Sequence, residues 1–296
     1  MDVLKGLAGL VGDCRGACVI ITGSGAAWMY AGVAALAAGG GAATVACLSP
    51  RDASAGLIVV YGQETPPGSR LAIPAGVLPE LSEPGQVIGI VGDPNSGKSV
   101  LAKLCLHALR QSGSRDCWCL DCDAASPTPN WYVDMTQAGA ALRAKDLRDK
   151  QKRPWNREME LAVAEQLRSC RGMLQLVIAD LPGGRHTGDV KQRIPENRDV
   201  IMREVDRFIV LGREGAPEVI EGWRRELEKH GLADRIVAEL RSAEPGAAFS
   251  LALDAEPRGG VLRGRVTGLD RGNASAGASA EFLAGLRELL RHAGAV

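Results

Sequence analysis

Eight consecutive residues, Gly92-Asp93-Pro94-Asn95-Ser96-Gly97-Lys98-Ser99, satisfy the spacing GxxxxGK[ST]. Glycines at both ends of such a loop let successive backbone N–H groups turn toward one anion, and a helix that starts there adds its dipole. In this pattern Lys98 reaches the β- and γ-phosphates of a nucleoside triphosphate, and Ser99 offers its hydroxyl to Mg2+. Gly92, Asn95, Ser96, Gly97 and Val100 complete the expected cofactor-binding set. The bland alternative is a Gly-rich strand-to-helix turn with no nucleotide. The apolar Val87–Val91 before the loop and the helical pattern after it weigh against that alternative.

Such chemistry also needs a carboxylate at the end of an apolar strand. The run from Leu174 ends in Asp180, and Leu181-Pro182-Gly183-Gly184 follows. Asp180 is expected to hold the metal's water shell, and the Gly183 amide to approach the γ-phosphate. Lys98 and Asp180 are thus the catalytic candidates, and Ser99, Asp180 and Asp121 the metal candidates. Asp121 and Asp123 close another apolar segment, where a parallel sheet gathers ligands at strand carboxyl ends. Turn capping explains that pair equally well. In Gly184–Gly188 and beyond, Arg185 or Lys191 could meet transition-state charge, against the plainer reading of a solvated, mobile loop. No Asn-Lys-x-Asp occurs, which favours ATP over GTP.

One segment is strongly basic. Between Ala141 and Arg157 stand Arg143, Lys145, Arg148, Lys150, Lys152, Arg153 and Arg157, against Asp146 and Asp149. It reads either as a lid over phosphates or, more plainly, as a solvated helix face with internal salt bridges.

The elements that must position these residues follow from periodicity and punctuation. Strands are expected over 86–91, 117–121, 174–180 and 207–211, with helices over 98–111, 157–171 and 198–205. That alternation predicts a parallel sheet with crossover helices. Strands over 248–253 and 261–267 and a helix over 281–291 close the chain. Upstream, strands over 17–22, 43–48 and 57–61 flank a helix over 26–38 that stops at Gly39-Gly40-Gly41. Pro66, Pro67, Pro74, Pro79 and Pro84 mark a boundary. The fold class is therefore α/β. A small N-terminal α/β sheet domain (1–73), a Pro-rich linker (74–85) and a P-loop NTPase domain (86–296) with a mostly parallel sheet are expected.

Composition restricts the partners. Thirty-five Lys plus Arg balance 35 Asp plus Glu over 296 residues, which argues against a duplex-DNA binder or a polybasic membrane protein. Five Trp, three Tyr and three Phe leave the core to aliphatic residues and glycine, and make base-stacking platforms scarce. Gly16–Pro50 carries no charge, yet its Ala and Gly content drives insertion into hydrocarbon weakly, and the N-terminus lacks a signal-peptide pattern. A cytoplasmic protein without a membrane span, assembling as a homo-oligomer, is expected. The eight cysteines have no second ligand pair to complete a zinc site. Cys117 and Cys119 are two apart on a strand and read as core residues of one face.

In the N-terminal domain, Gly23-Ser24-Gly25-Ala26-Ala27-Trp28-Met29-Tyr30, Ser49-Pro50-Arg51 and Gly56-Leu57-Ile58-Val59-Val60 resemble a CRISPR-associated ring-nuclease domain. That family degrades cyclic tetra-adenylate, the messenger of type III CRISPR immunity. Some members are similar throughout, with a C-terminal P-loop ATPase-like domain in which an Asn-Trp segment, here Asn130-Trp131, follows the phosphate loop. The resemblance covers residues 15–65 and 85–215. It implies that Gly23, Ser24, Gly25 and Arg51 bind a cyclic oligoadenylate. Ser49 stands where the family has Asp, and no histidine precedes His107, so imidazole-based nuclease chemistry is expected to be weak or lost.

The combined expectation is an ATP–Mg2+ P-loop ATPase coupled to a messenger-binding or assembly domain. The alternatives are a P-loop kinase for a small molecule or polynucleotide end, and a non-catalytic nucleotide-bound switch.

Overall fold

The computed structural model describes residues 14–21, 27–48, 57–72, 84–114, 116–126, 132, 135–136, 138–152, 154–187, 190–196, 198–272 and 277–295. The chain divides into two compact units, Met1–Glu80 and Leu81–Val296.

In the first unit, β1 (Cys18–Ile21), α1 (Ala27–Gly39), β2 (Thr44–Leu48), β3 (Leu57–Gly62) and β4 (Arg70–Leu71) form a sheet of order β1-β2-β3-β4. β1 and β2 are parallel, as a strand–helix–strand crossover requires, and the other pairs are antiparallel. Helix α1 ends where the three glycines stand. Gly41 adopts φ +87°, which lets the Ala42 N–H reach the Ala37 carbonyl at 3.0 Å. Cys14, Ala37, Ala42 and Val45 make a core of small side chains. Pro66 does not end this unit. Its carbonyl accepts from Ser69 N at 3.1 Å, with Gly68 at φ +87°, so the first prolines form the turn between β3 and β4.

The second unit carries β5 (Gln86–Val91), α2 (Lys98–Gln111), β6 (Cys117–Asp121), α3 (Ala141–Gln151), α4 (Arg157–Arg171), β7 (Leu176–Asp180), β8 (Arg185–Thr187) and β9 (Val190–Gln192). It continues through α5 (Asp199–Arg203), β10 (Arg207–Arg213), α6 (Glu218–Lys229), β11 (Ile236–Ala243), β12 (Ser250–Leu253), β13 (Leu262–Thr267) and α7 (Ala280–His292). The main sheet runs β12-β13-β11-β10-β5-β7-β6, and every neighbouring pair is parallel except β12 with β13. This is the α/β architecture with a mostly parallel sheet.

Strand β5 shows why the layers form. Ile88 and Ile90 point into one core with Leu101, Leu104 and Leu286, while Val87 and Val91 point into the other with Leu167, Phe208 and Trp223. Helices α2 and α7 therefore cover one face, and α4, α5 and α6 cover the other. Cys117 and Cys119 pack toward the α2 side, the shared face their spacing predicts. Asn156 and Ser279 cap α4 and α7 by accepting from Met159 N at 2.9 Å and Phe282 N at 3.1 Å, each worth about 1 kcal/mol.

Several elements differ from the sequence expectation. The loop expected over 184–188 contains instead a strand, β8, paired antiparallel with β9. Helix α6 and strand β11 stand in a region where the sequence reading placed no element, and the helix expected over 198–205 is the short α5. Among the described residues no helix is long and apolar enough to cross a membrane.

Candidate functional site

Strand β5 delivers the chain into the loop Gly92–Ser99 at the carboxyl edge of the sheet. Gly92 is required by space: a Cβ there would lie 2.2 Å from the Leu211 carbonyl oxygen. Gly97 is required by conformation as well, at φ +98° and with Leu269 packed against it. Asn95 takes φ +62°, and the Arg213 guanidinium donates two bonds to its carbonyl, at 2.8 and 3.3 Å. The first turn of α2 has no side-chain cap, so no capping side chain occupies its N–H groups. The Ser96 hydroxyl is buried there without a hydrogen-bond partner.

Lys98 is buried, and its Nζ curls back to donate to the Asp93 carbonyl at 3.2 Å. Burial pushes its pKa down, opposed by Asp180, Asp123 and Asp93. Asp180 is buried too, and burial pushes its carboxyl up, opposed by Lys98 and by a hydrogen bond from Ser99. β7 is hydrogen-bonded directly to β5, with Ile90 opposite Asp180. That adjacency brings Asp180 to Lys98 and Ser99. Asp121 is the register partner of Asp180 across β6 and β7.

Lys98, Ser99, Asp121, Asp123 and Asp180 line one cleft of about 320 Å³. Asp121 and Asp123 do both things the sequence allowed. Each caps a turn, Asp121 accepting from Asp123 N at 3.0 Å and Asp123 from Ser126 N at 2.9 Å, and each faces the cleft. Gly183 also lines it. A Cβ on Gly183 would stand 2.9 Å from Pro94 N and 3.1 Å from Lys98 Nζ. On the other side of the loop, Asn95, Ser96, Gly97 and Val100 border a second cleft of about 360 Å³ with Arg213, Pro245 and Leu269. No group of three or more His, Cys, Asp or Glu among the described residues forms a metal cage. The donor set instead suits Mg2+, which binds through one or two carboxylates, a hydroxyl, water and substrate phosphates.

The comparisons with known proteins point only to solved structures. No family model and no curated protein matches the chain. One structural neighbour is the septum site-determining protein MinD from Pyrococcus horikoshii OT3, complexed with Mg-ADP. It shows 17% identity and a TM-score of 0.35 over 53% of this chain and 70% of that one. Another is the crystal structure of APE1195, at 17% identity and a TM-score of 0.27 over 51% of this chain and 74% of that one. At such scores the functional reading stands on the site's own geometry.

Tertiary structure redistributes the arginine roles. Arg185 is exposed and stacks over Trp155 at 5.7 Å, and it does not line the cleft. Lys191 belongs to β9, and its side chain lies outside the description. Of the basic segment, Arg148 and Lys152 line the cleft, while Arg143, Lys145, Lys150 and Arg157 are exposed and Arg153 is outside the described residues. Arg271 and Arg193 come from regions with no motif, and only packing brings them to the phosphate loop. Gly23, Ser24, Gly25, Arg51 and Asn130-Trp131 also lie outside the described residues.

Proposed function

We propose that the second unit binds ATP with Mg2+ at the Gly92–Ser99 loop and hydrolyses it. The observation that carries this reading is the meeting of Lys98, Ser99 and Asp180 in one cleft, with Gly183 pressed against the Lys98 ammonium. Gly92 and Gly97 open the backbone to the phosphates, and the buried Ser96 hydroxyl supplies a further polar group. Lys98 holds the β- and γ-phosphate oxygens. Its pKa, lowered by burial, rises when polyphosphate charge arrives, which keeps the ammonium protonated. Ser99 and Asp180 would hold the Mg2+ and its water, and the ion would neutralise charge on the β- and γ-oxygens. Asp121 and Asp123 orient the attacking water by accepting from it. In hydrolysis a bond forms between that water oxygen and the γ-phosphorus, the bond to the β,γ-bridging oxygen breaks with its electron pair leaving on ADP, and the water's proton passes to the released phosphate or to solvent.

The test is nucleotide binding and phosphate release by the full chain and by Lys98→Ala. Wild type is expected to bind ATP and release free phosphate, and Lys98→Ala to lose both. Transfer of label from ATP to an acceptor would point to the kinase alternative, and binding without turnover to a switch. The N-terminal unit is proposed, on its sequence resemblance, to bind a cyclic oligoadenylate or to mediate assembly. Cyclic tetra-adenylate that neither binds nor alters the ATPase rate would end the messenger proposal.

A further inference from the structure

We propose that Arg148 and Arg271 form a clamp for the terminal phosphate of the bound nucleotide, so that the cleft selects triphosphate over diphosphate, with α3 as the lid that carries half of the clamp. This rests on the ATP reading above. Arg148 and Arg271, far apart in the unit's sequence, both stack over the ring of Tyr132 with guanidinium carbons 5.3 Å from its centroid. Tyr132 is buried, and its hydroxyl lies 3.5 Å from Arg271 Nη1. Arg148 Nη2 is anchored on the Ser126 carbonyl at 2.9 Å and its hydroxyl at 3.2 Å. One ring thus gathers two permanent cations at the wall of the cleft that holds Lys98 and Asp180.

Two guanidiniums held near one aromatic ring repel each other, and an anion that both reach from the wall of the same cleft turns that cost into two charge-assisted contacts. The backbone of the loop Gly92–Ser99 grips a β-phosphate alike in ATP and ADP, so discrimination comes from the side chains that reach the terminal phosphate, and the two arginines add to Lys98 there. Arg271 is placed for this because it lines the clefts on both sides of Lys98. Among the described residues helix α3 has little else to hold it. Ala144 is its one buried residue, while Leu142 is 83% exposed and Leu147 is exposed as well. Little apolar burial fixes the helix, so whatever Arg148 grips decides whether it stays over the cleft.

The test is calorimetric titration of the full chain with ADP and with a non-hydrolysable ATP analogue. Wild type, Arg148→Ala, Arg271→Ala, Arg148→Lys and Tyr132→Leu are compared, with circular dichroism confirming that each variant is folded. Wild type is expected to prefer the triphosphate. Each alanine variant should lose about tenfold in analogue affinity, the size of one charge-assisted hydrogen bond, with ADP affinity unchanged. Arg148→Lys keeps the charge without the planar fork and falls between. Proteolysis after Arg143, Lys145 and Lys150 should be suppressed by the analogue and not by ADP. Analogue affinity that survives both alanine substitutions, or equal losses for ADP and analogue, overturns the clamp. Wild type that binds neither nucleotide overturns the ATP reading and the clamp with it.

Discussion

Arg193 grips Asp93 across a hundred residues of sequence with two parallel bonds, Nε to Oδ1 at 2.9 Å and Nη2 to Oδ2 at 3.1 Å. Asp93 is the second residue of the phosphate loop, and Arg193 follows directly on β9. The Trp223 indole also donates to Asp93 Oδ1 at 2.9 Å. At its other foot the hairpin rests Gly183 on Pro94 and Lys98. Both ends of the β8–β9 hairpin are therefore fixed to the phosphate loop, and a displacement of one is felt by the other.

Because the pair is largely buried, removing one partner leaves an uncompensated charge. Arg193→Ala is expected to cost about 3 kcal/mol in urea unfolding. Asp93→Leu combined with Arg193→Leu should be milder than the sum of the single changes, and a double-mutant cycle with no coupling would contradict this.

Gly183→Ala inserts a methyl group between Pro94 and Lys98. The chain should still fold, since the strands behind it are untouched, but Lys98 would be displaced. Turnover is expected to fall by about 10²-fold, the usual cost of misplacing a catalytic group by an ångström. Steady-state phosphate release together with the melting temperature checks this, and a wild-type rate in a folded variant would contradict it.

Asn95 occupies the left-handed region, which Asn and Gly tolerate and β-branched residues do not. Asn95→Gly should be nearly neutral in thermal stability, whereas Asn95→Val should cost about 1–2 kcal/mol and weaken nucleotide binding. Equal stability of the two variants would place the strain elsewhere.

Asp180 gives a pH dependence of known sign. Burial raises its folded pKa above 3.8, so the folded chain holds this proton more tightly than the unfolded one. Its contribution is most favourable below pH 3.8 and is lost as pH rises through the folded value. Without nucleotide, wild type should therefore gain stability relative to Asp180→Asn as the pH falls from 7, as read from melting temperatures across the range; a difference that does not change with pH would contradict this.

How much of this was legible depended on whether the signal was local. The phosphate loop could be read because backbone geometry dictates its residue types: Gly92 and Gly97 sit where no Cβ fits, and Lys98 and Ser99 follow at fixed offsets. Val87–Val91 and Leu176–Ala179 were readable as strands because both of their faces are buried. Helix α6 was missed although Val219, Trp223 and Leu227 recur every four residues, because strongly charged neighbours such as Arg224, Arg225 and Glu226 break up its apolar run. β11 was missed because Glu239 and Arg241 alternate with Ala238 and Leu240, so that its apolar face never reads as a continuous apolar run.

By itself the sequence determined the punctuated α/β order and the loop that would hold phosphates, since turns, glycines and apolar periodicity act within a few residues. The strand order was decided in three dimensions. It sets β7 against β5, and so Asp180 against Lys98. Packing alone gathered Arg148, Arg271 and Tyr132 at one cleft and Arg193 and Trp223 onto Asp93. An arginine has no local preference that announces its partner; its long side chain is committed only when the fold supplies a carboxylate or a ring within reach.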